Sequence, residues 1–230
     1  MTDRLIFIVL LVCLTAAMGW LTVQSGRLLQ RFIPQTNLLL LLPDNLARLL
    51  LILVCVVIGI AAGPGIETLG WGTDRLLPDF GLGAMVGLLL APIIVWAGNA
   101  VMRRWGDGVY DNRLLRAIVP VDRREWIGVV LALLPAAFVE ELLFRSMPLA
   151  GLAWLIPPWV LMWPLALVFG LLHWAQGEWG VVGTTLLGLV LSVLFLWSGS
   201  IWVSLAAHWM LNVVEITIAQ RRGLRPLRAD

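Results

Sequence analysis

Residues 126–144 read WIGVVLALLPAAFVEELLF, nineteen positions whose only charged side chains are the adjacent Glu140 and Glu141. Such a run is long and apolar enough to cross a hydrocarbon core as a helix, which takes about 20 residues. Six further runs share this character: Leu5–Val23, Leu46–Ala62, Phe80–Val101, Trp159–His173, Val181–Leu196 and Ile201–Ile218. The expected fold is an all-α polytopic transmembrane helix bundle of about seven spans. The apolar stretch Pro148–Trp154, broken by Gly151 and followed by Pro157–Pro158, either extends the fourth helix or lies at the interface. An eighth crossing therefore stays open.

Composition supports lipid as the solvent. Hydrophobic residues make up 60% of the 230 residues, charged residues 13%, and mean hydropathy is +0.94. A soluble domain is about 45–50% apolar and about 25% charged. A soluble enzyme, a disordered chain and a nucleic-acid binder are excluded on that basis. The N-terminal run exceeds the roughly 7–15 residues of a signal-peptide core and reads as the first span. Cys13 and Cys55 lie inside apolar runs, where a thiol packs as a small hydrophobe rather than pairing or binding metal. Most prolines fall at span boundaries, but Pro92 and Pro135 lie inside spans and are expected to kink them. Trp20, Trp71, Trp126, Trp174, Trp179 and Trp202 fall near expected interfaces, as an aromatic belt would.

All 16 basic residues are arginines. With seven spans, twelve of them share one side: Arg27, Arg31, Arg103, Arg104, Arg113, Arg116, Arg123, Arg124, Arg221, Arg222, Arg225 and Arg228. Arg4, Arg75 and Arg145 belong to the other. The positive-inside rule places the C-terminal tail in the cytoplasm and the N-terminus outside. Three regions follow: 1–125, three spans without signature; 126–218, the polar-bearing helices; and 219–230, a basic tail.

An ionisable group inside a span costs at least ~2.5–3.5 kcal/mol and is a functional candidate by default. Glu141 and Arg145 are four apart and share a helix face, so they can pair. Glu140, about 100° around the helix, is left without that partner and suits proton transfer. A snorkelling ion pair is the plainer alternative. Phe169 lies one turn before His173, and Gly170 admits a close neighbouring helix. His208 and Asn212 share a face of the last span, where the amide can orient the imidazole or donate to an oxyanion. Interfacial packing and an interhelical hydrogen bond are the structural alternatives. Together, a glutamate, two imidazoles and an amide suit water-mediated acyl hydrolysis, and they also resemble a zinc site. Glu215, seven residues beyond His208, faces the same way.

Glu140-Glu141-x-x-x-Arg145, Phe169-x-x-x-His173 and His208-x-x-x-Asn212, in this order and on separate helices, resemble the CAAX protease and bacteriocin-processing (CPBP, or Abi) family of intramembrane proteases. The resemblance covers roughly residues 126–218. It implies an intramembrane endopeptidase acting on a membrane-associated peptide or protein. Glu140 would activate water with help from His173, and His208 and Asn212 would stabilise the oxyanion. Glu141 and Arg145 would position Glu140, with Phe169 in support. It also implies a bacterial inner-membrane location. No cofactor is needed on this reading; were zinc present, Glu140, His173 and His208 would be its ligands. A non-enzymatic scaffold or a small transporter is the competing reading, and oligomeric state is not written in the chain. One conflict stands out. If the fourth helix ends at Phe144, Glu140 and His173 differ in depth by about 15 Å at 1.5 Å per residue. Convergence of the site requires Pro148–Trp154 to be partly helical.

Overall fold

The computed structural model describes residues 2–228. Eight α-helices follow one another: α1 (Thr2–Arg31), α2 (Leu42–Ala61), α3 (Leu76–Trp105), α4 (Arg113–Ile118), α5 (Arg123–Glu141), α6 (Pro158–Leu172), α7 (Gly177–Ser198) and α8 (Ile201–Arg221). Helix α5 runs without a break into a π-helical segment, Leu142–Ala150. Six helices, counting α5 with this extension, are long and apolar enough to cross a membrane, and α6 is a shorter apolar helix. The all-α polytopic bundle is the observed architecture. No eighth crossing is present among the described residues, because Pro148–Ala150 belong to the fourth long helix and a turn follows at Gly151.

Hydrogen bonds sort the connections into two ends. At one end, the α2–α3 loop meets the π segment and the start of α8: Ser146 Oγ donates to Leu69 O, and Ile201 N to Gly70 O. At the other, Asn37 Nδ2 donates to Ile118 O, Asp111 N to Gln176 O, and Gln220 Nε2 to Pro120 O. The second, or tail, end thus gathers the α1–α2, α3–α5 and α6–α7 connections with the C-terminus. The twelve arginines sorted from the sequence belong to this end.

The expected helix ends were too short. α1 and α3 each extend to 30 residues, several beyond the apolar runs at both ends. The fourth helix does not stop at Phe144. Counted from Ala150 and Pro158, which flank the same turn, Glu140 lies ten residues in and His173 fifteen. The depth difference shrinks to about 8 Å at 1.5 Å per residue, a gap side chains can close. A π segment widens the helix with i→i+5 bonds and is frequent at functional sites.

Two close helix–helix contacts brace the bundle. Gly83 and Gly87 of α3 lie so close to α8 that a Cβ at either would strike the carbonyl of Val203 or Ala207. Small residues four apart let helix backbones approach where no hydrophobic drive exists between them. On α7, Val181 and Thr185 press against Gly170 of α6 in the same way. The α2–α3 loop caps the end opposite the tail. Trp71 Nε1 donates to Ser146 Oγ at 2.7 Å, and Trp202 Nε1 to Gly72 O at 2.8 Å. Both indoles lie at the span ends, and their N–H groups lock this cap.

Candidate active site

The last turn of α5 and the first π turn place Glu141 and Arg145 in the core, at 0% and 1% side-chain exposure. Burial this deep demands partners, since an unpaired charge costs several kcal/mol there. Glu141 Oε1 accepts from Arg145 Nη1 at 3.0 Å and from His208 Nδ1 at 2.8 Å. Arg145 Nη2 reaches Gly188 O on α7 at 3.5 Å. Four elements are thereby tied at one point: α5, its π extension, α7 and α8. An oxygen that already accepts from a guanidinium is an acceptor for His208 too, so Nδ1 of His208 carries the hydrogen.

That bond turns the other ring nitrogen toward Glu140. His208 Nε2 lies 3.6 Å from Glu140 Oε2. Glu140 keeps 24% side-chain exposure, against 0% for its neighbour. The two adjacent carboxylates are therefore unlike: one sealed and doubly bonded, one open and facing a ring nitrogen. Two acceptors at this separation can share one water, each taking one of its hydrogens, which leaves the water's lone pairs turned outward.

Phe169 joins the second histidine to the first. Its ring, 1% exposed, lies 4.9 Å from the His173 ring and 6.1 Å from the His208 ring, centroid to centroid. The Arg145 guanidinium stacks on it at 4.3 Å, a cation–π contact, and Phe144 packs against it at 5.1 Å. His173 caps the end of α6, and its Nδ1 bonds the Phe169 carbonyl at 2.8 Å. A carbonyl only accepts, so Nδ1 donates and Nε2 of the neutral ring is bare. Sequence reasoning paired His173 with Glu140; the imidazole within 4.0 Å of a carboxylate is instead that of His208.

Asn212 lies one turn past His208, half-buried, and its side chain has no hydrogen-bond partner among the described residues. One turn further is Glu215, also half-buried. Tyr110 lies outside the spans, at the tail end. Burial, with the charges of Glu215 and Asp111, pushes its phenol up to about 12. The face of α8 carrying His208, Asn212 and Glu215 thus leads from the buried cluster toward the tail end.

A metal requires several ligands converging on one point. Among the described residues no three His, Cys, Asp or Glu side chains converge that way.

Several supporting residues escaped the sequence reading. Gly83 and Gly87 seat α8, Gly188 offers its carbonyl to Arg145, and Ser146 ties the π segment to the cap. The spacing of Gly83 and Gly87 is a legible helix-packing signal. Gly188 and Ser146 carried none.

Residues 122–214 match the family described as type II CAAX prenyl endopeptidase Rce1-like. The resemblance read from three short motifs therefore stands. The matched stretch holds every element that carries a motif, from the N-cap of α5 to beyond Asn212. The chain is also 25% identical over 130 residues to the uncharacterized protein YpbD of Bacillus subtilis (strain 168), covering 56% of this chain and 64% of that protein. The chain thus spans somewhat less than two thirds of that relative's length. No solved structure matches it.

Proposed function

We propose that this protein is an intramembrane endopeptidase that hydrolyses a peptide bond of a membrane-associated protein or peptide with a water activated by Glu140. One observation carries the reading: an open carboxylate faces, at 3.6 Å, an imidazole whose other nitrogen is bonded to a buried carboxylate–guanidinium pair. Such an orienting group fixes the tautomer and direction of a catalytic imidazole.

The water donates one hydrogen to Glu140 and the other to His208 Nε2. As its oxygen attacks the carbonyl carbon, Glu140 takes the proton and the carbonyl π electrons move to oxygen. The Asn212 amide, one turn beyond His208, donates to that oxyanion. Glu140 then passes its proton to the departing nitrogen as the C–N bond breaks, leaving a carboxylic acid and an amine. Glu141 and Arg145 act through His208, and Phe169 keeps His173 and His208 at the same site. The arginine-rich tail end lies in the cytoplasm of a bacterial inner membrane on the positive-inside rule.

The test is cleavage of a candidate substrate by purified protein in lipid, comparing wild type with Glu140→Ala. Loss of cleavage with unchanged folding is expected. Equal cutting by the variant would remove Glu140 as the base and favour a scaffold or transporter. A strong chelator is expected to leave the rate unchanged.

A further inference from the structure

Arg48 lies in α2, inside the apolar stretch and toward the tail end, and it has no part in the network above. Arginine within a span is costly, so it either snorkels to the interface or serves a binding role. This one is held in place. Asn45 Nδ2 donates to Leu39 O at 2.7 Å and to Leu41 O at 3.0 Å, which fixes the amide. Asn45 Oδ1 then accepts from Arg48 Nη1 at 3.2 Å. That is the guanidinium's one hydrogen bond, and no carboxylate lies within 4.0 Å of it, among the described residues. The residue is half-buried, and α2 packs on α5, the helix that carries Glu140.

A guanidinium is a planar fork that binds a carboxylate through two parallel N–H bonds. Here the fork is set by a neutral acceptor, so its charge is not spent on a partner. The opposite end of the bundle is closed by the α2–α3 cap, where Trp71, Ser146 and Leu69 are bonded together. Arg48 lies on the tail side of the bundle, away from that cap, so a segment that reaches Glu140 from the tail end passes it.

We infer that Arg48 is a recognition residue whose guanidinium, pre-set by Asn45, binds a carboxylate of the substrate segment beside Glu140. This rests on the hydrolase reading above and adds the substrate's charge to it. The carboxylate is the segment's own C-terminus or an acidic side chain, since the fork accepts both. Binding it at Arg48 also shields the incoming anion from Glu140.

The test measures binding, so it does not depend on turnover. The full chain in phosphatidylcholine nanodiscs is titrated with dodecanoyl-hexaalanine in three forms: free acid, C-terminal amide, and amide with one alanine replaced by glutamate. Wild type is expected to bind at least one carboxylate-bearing form about 10-fold more tightly than the plain amide, the strength of a charge-assisted bond. The tighter form identifies the source of the carboxylate. Arg48→Gln is expected to bind all three as wild type binds the plain amide, and Arg48→Lys to fall between. Asn45→Ala, which frees the fork but keeps the charge, is expected to lose part of the preference. Equal binding of all three forms by wild type, no measurable binding of any, or a preference that survives Arg48→Gln each overturns the inference. The cleavage test of Glu140→Ala fails or succeeds separately, so the two readings are distinguishable.

Discussion

Only 11% of the apolar window of α1 and 17% of those of α2 and α3 is buried within the protein, against 50% for α5 with its π extension and 50% for α8. The N-terminal helices present most of their side chains outward, as at Leu5, Val12, Leu53, Leu88 and Trp96. The C-terminal helices turn inward around Glu141, Arg145, Phe169 and His208. Lipid does not distinguish one apolar side chain from another, so the outer helices are free in composition and need only span and brace. The inner ones must find partners for the charged groups they bury, as Glu141 does with Arg145 and His208. That demand makes their sequence specific, and the family match falls on them, at residues 122–214.

If the comparison holds, substitutions should differ sharply in effect between the two regions. The largest stability loss is expected for Arg145→Met, which leaves Glu141 buried without its guanidinium. Breaking a buried pair by removing one member costs about 3–5 kcal/mol. Adding Glu141→Gln should restore much of that loss, measured by unfolding in detergent. A single variant as stable as wild type would show that the pair does not organise the core.

Next comes Gly87→Leu, on α3, the outer helix that packs most closely on α8. A side chain there strikes the Ala207 backbone and must separate α3 from α8. Overpacking of this kind costs about 1–3 kcal/mol. Because α8 carries His208, cleavage should fall more than stability alone explains. Trp71→Phe removes the bond to Ser146 together with part of the indole's packing, which should cost about 1–2 kcal/mol in the same unfolding measurement. The smallest effect is expected for Leu53→Ala, at a side chain 58% exposed toward lipid. A change within about 0.5 kcal/mol is anticipated. A large loss there would mean that the outer face of α2 packs against something in the working protein.

The same contrast explains what could be read from the chain. Fold class was legible because apolar run length alone decides it. The motif residues were legible because charge and imidazole are expensive in such runs, so Glu140, Glu141, Arg145, His173 and His208 stood out against their surroundings. What stayed hidden was geometric. A π segment has no simple composition signal, so the fourth helix seemed to end at Phe144 and the site seemed split in depth. Nor does spacing say which imidazole meets which carboxylate. That choice is made by the bond from His208 Nδ1 to Glu141, across 67 positions of sequence. Arg48 was masked by lying inside an apolar run at a helix end, where snorkelling is the ordinary outcome.

The most direct test of the central claim is the single-turnover cleavage rate of a membrane-anchored peptide, wild type against Glu140→Gln, with both proteins verified as folded by unfolding in detergent. Removal of a general base costs about 10²–10⁴ in rate. The account predicts a fall in that range with unfolding unchanged, because Glu140, unlike Glu141, bears no structural bond. A Glu140→Gln protein that cuts at the wild-type rate would contradict it.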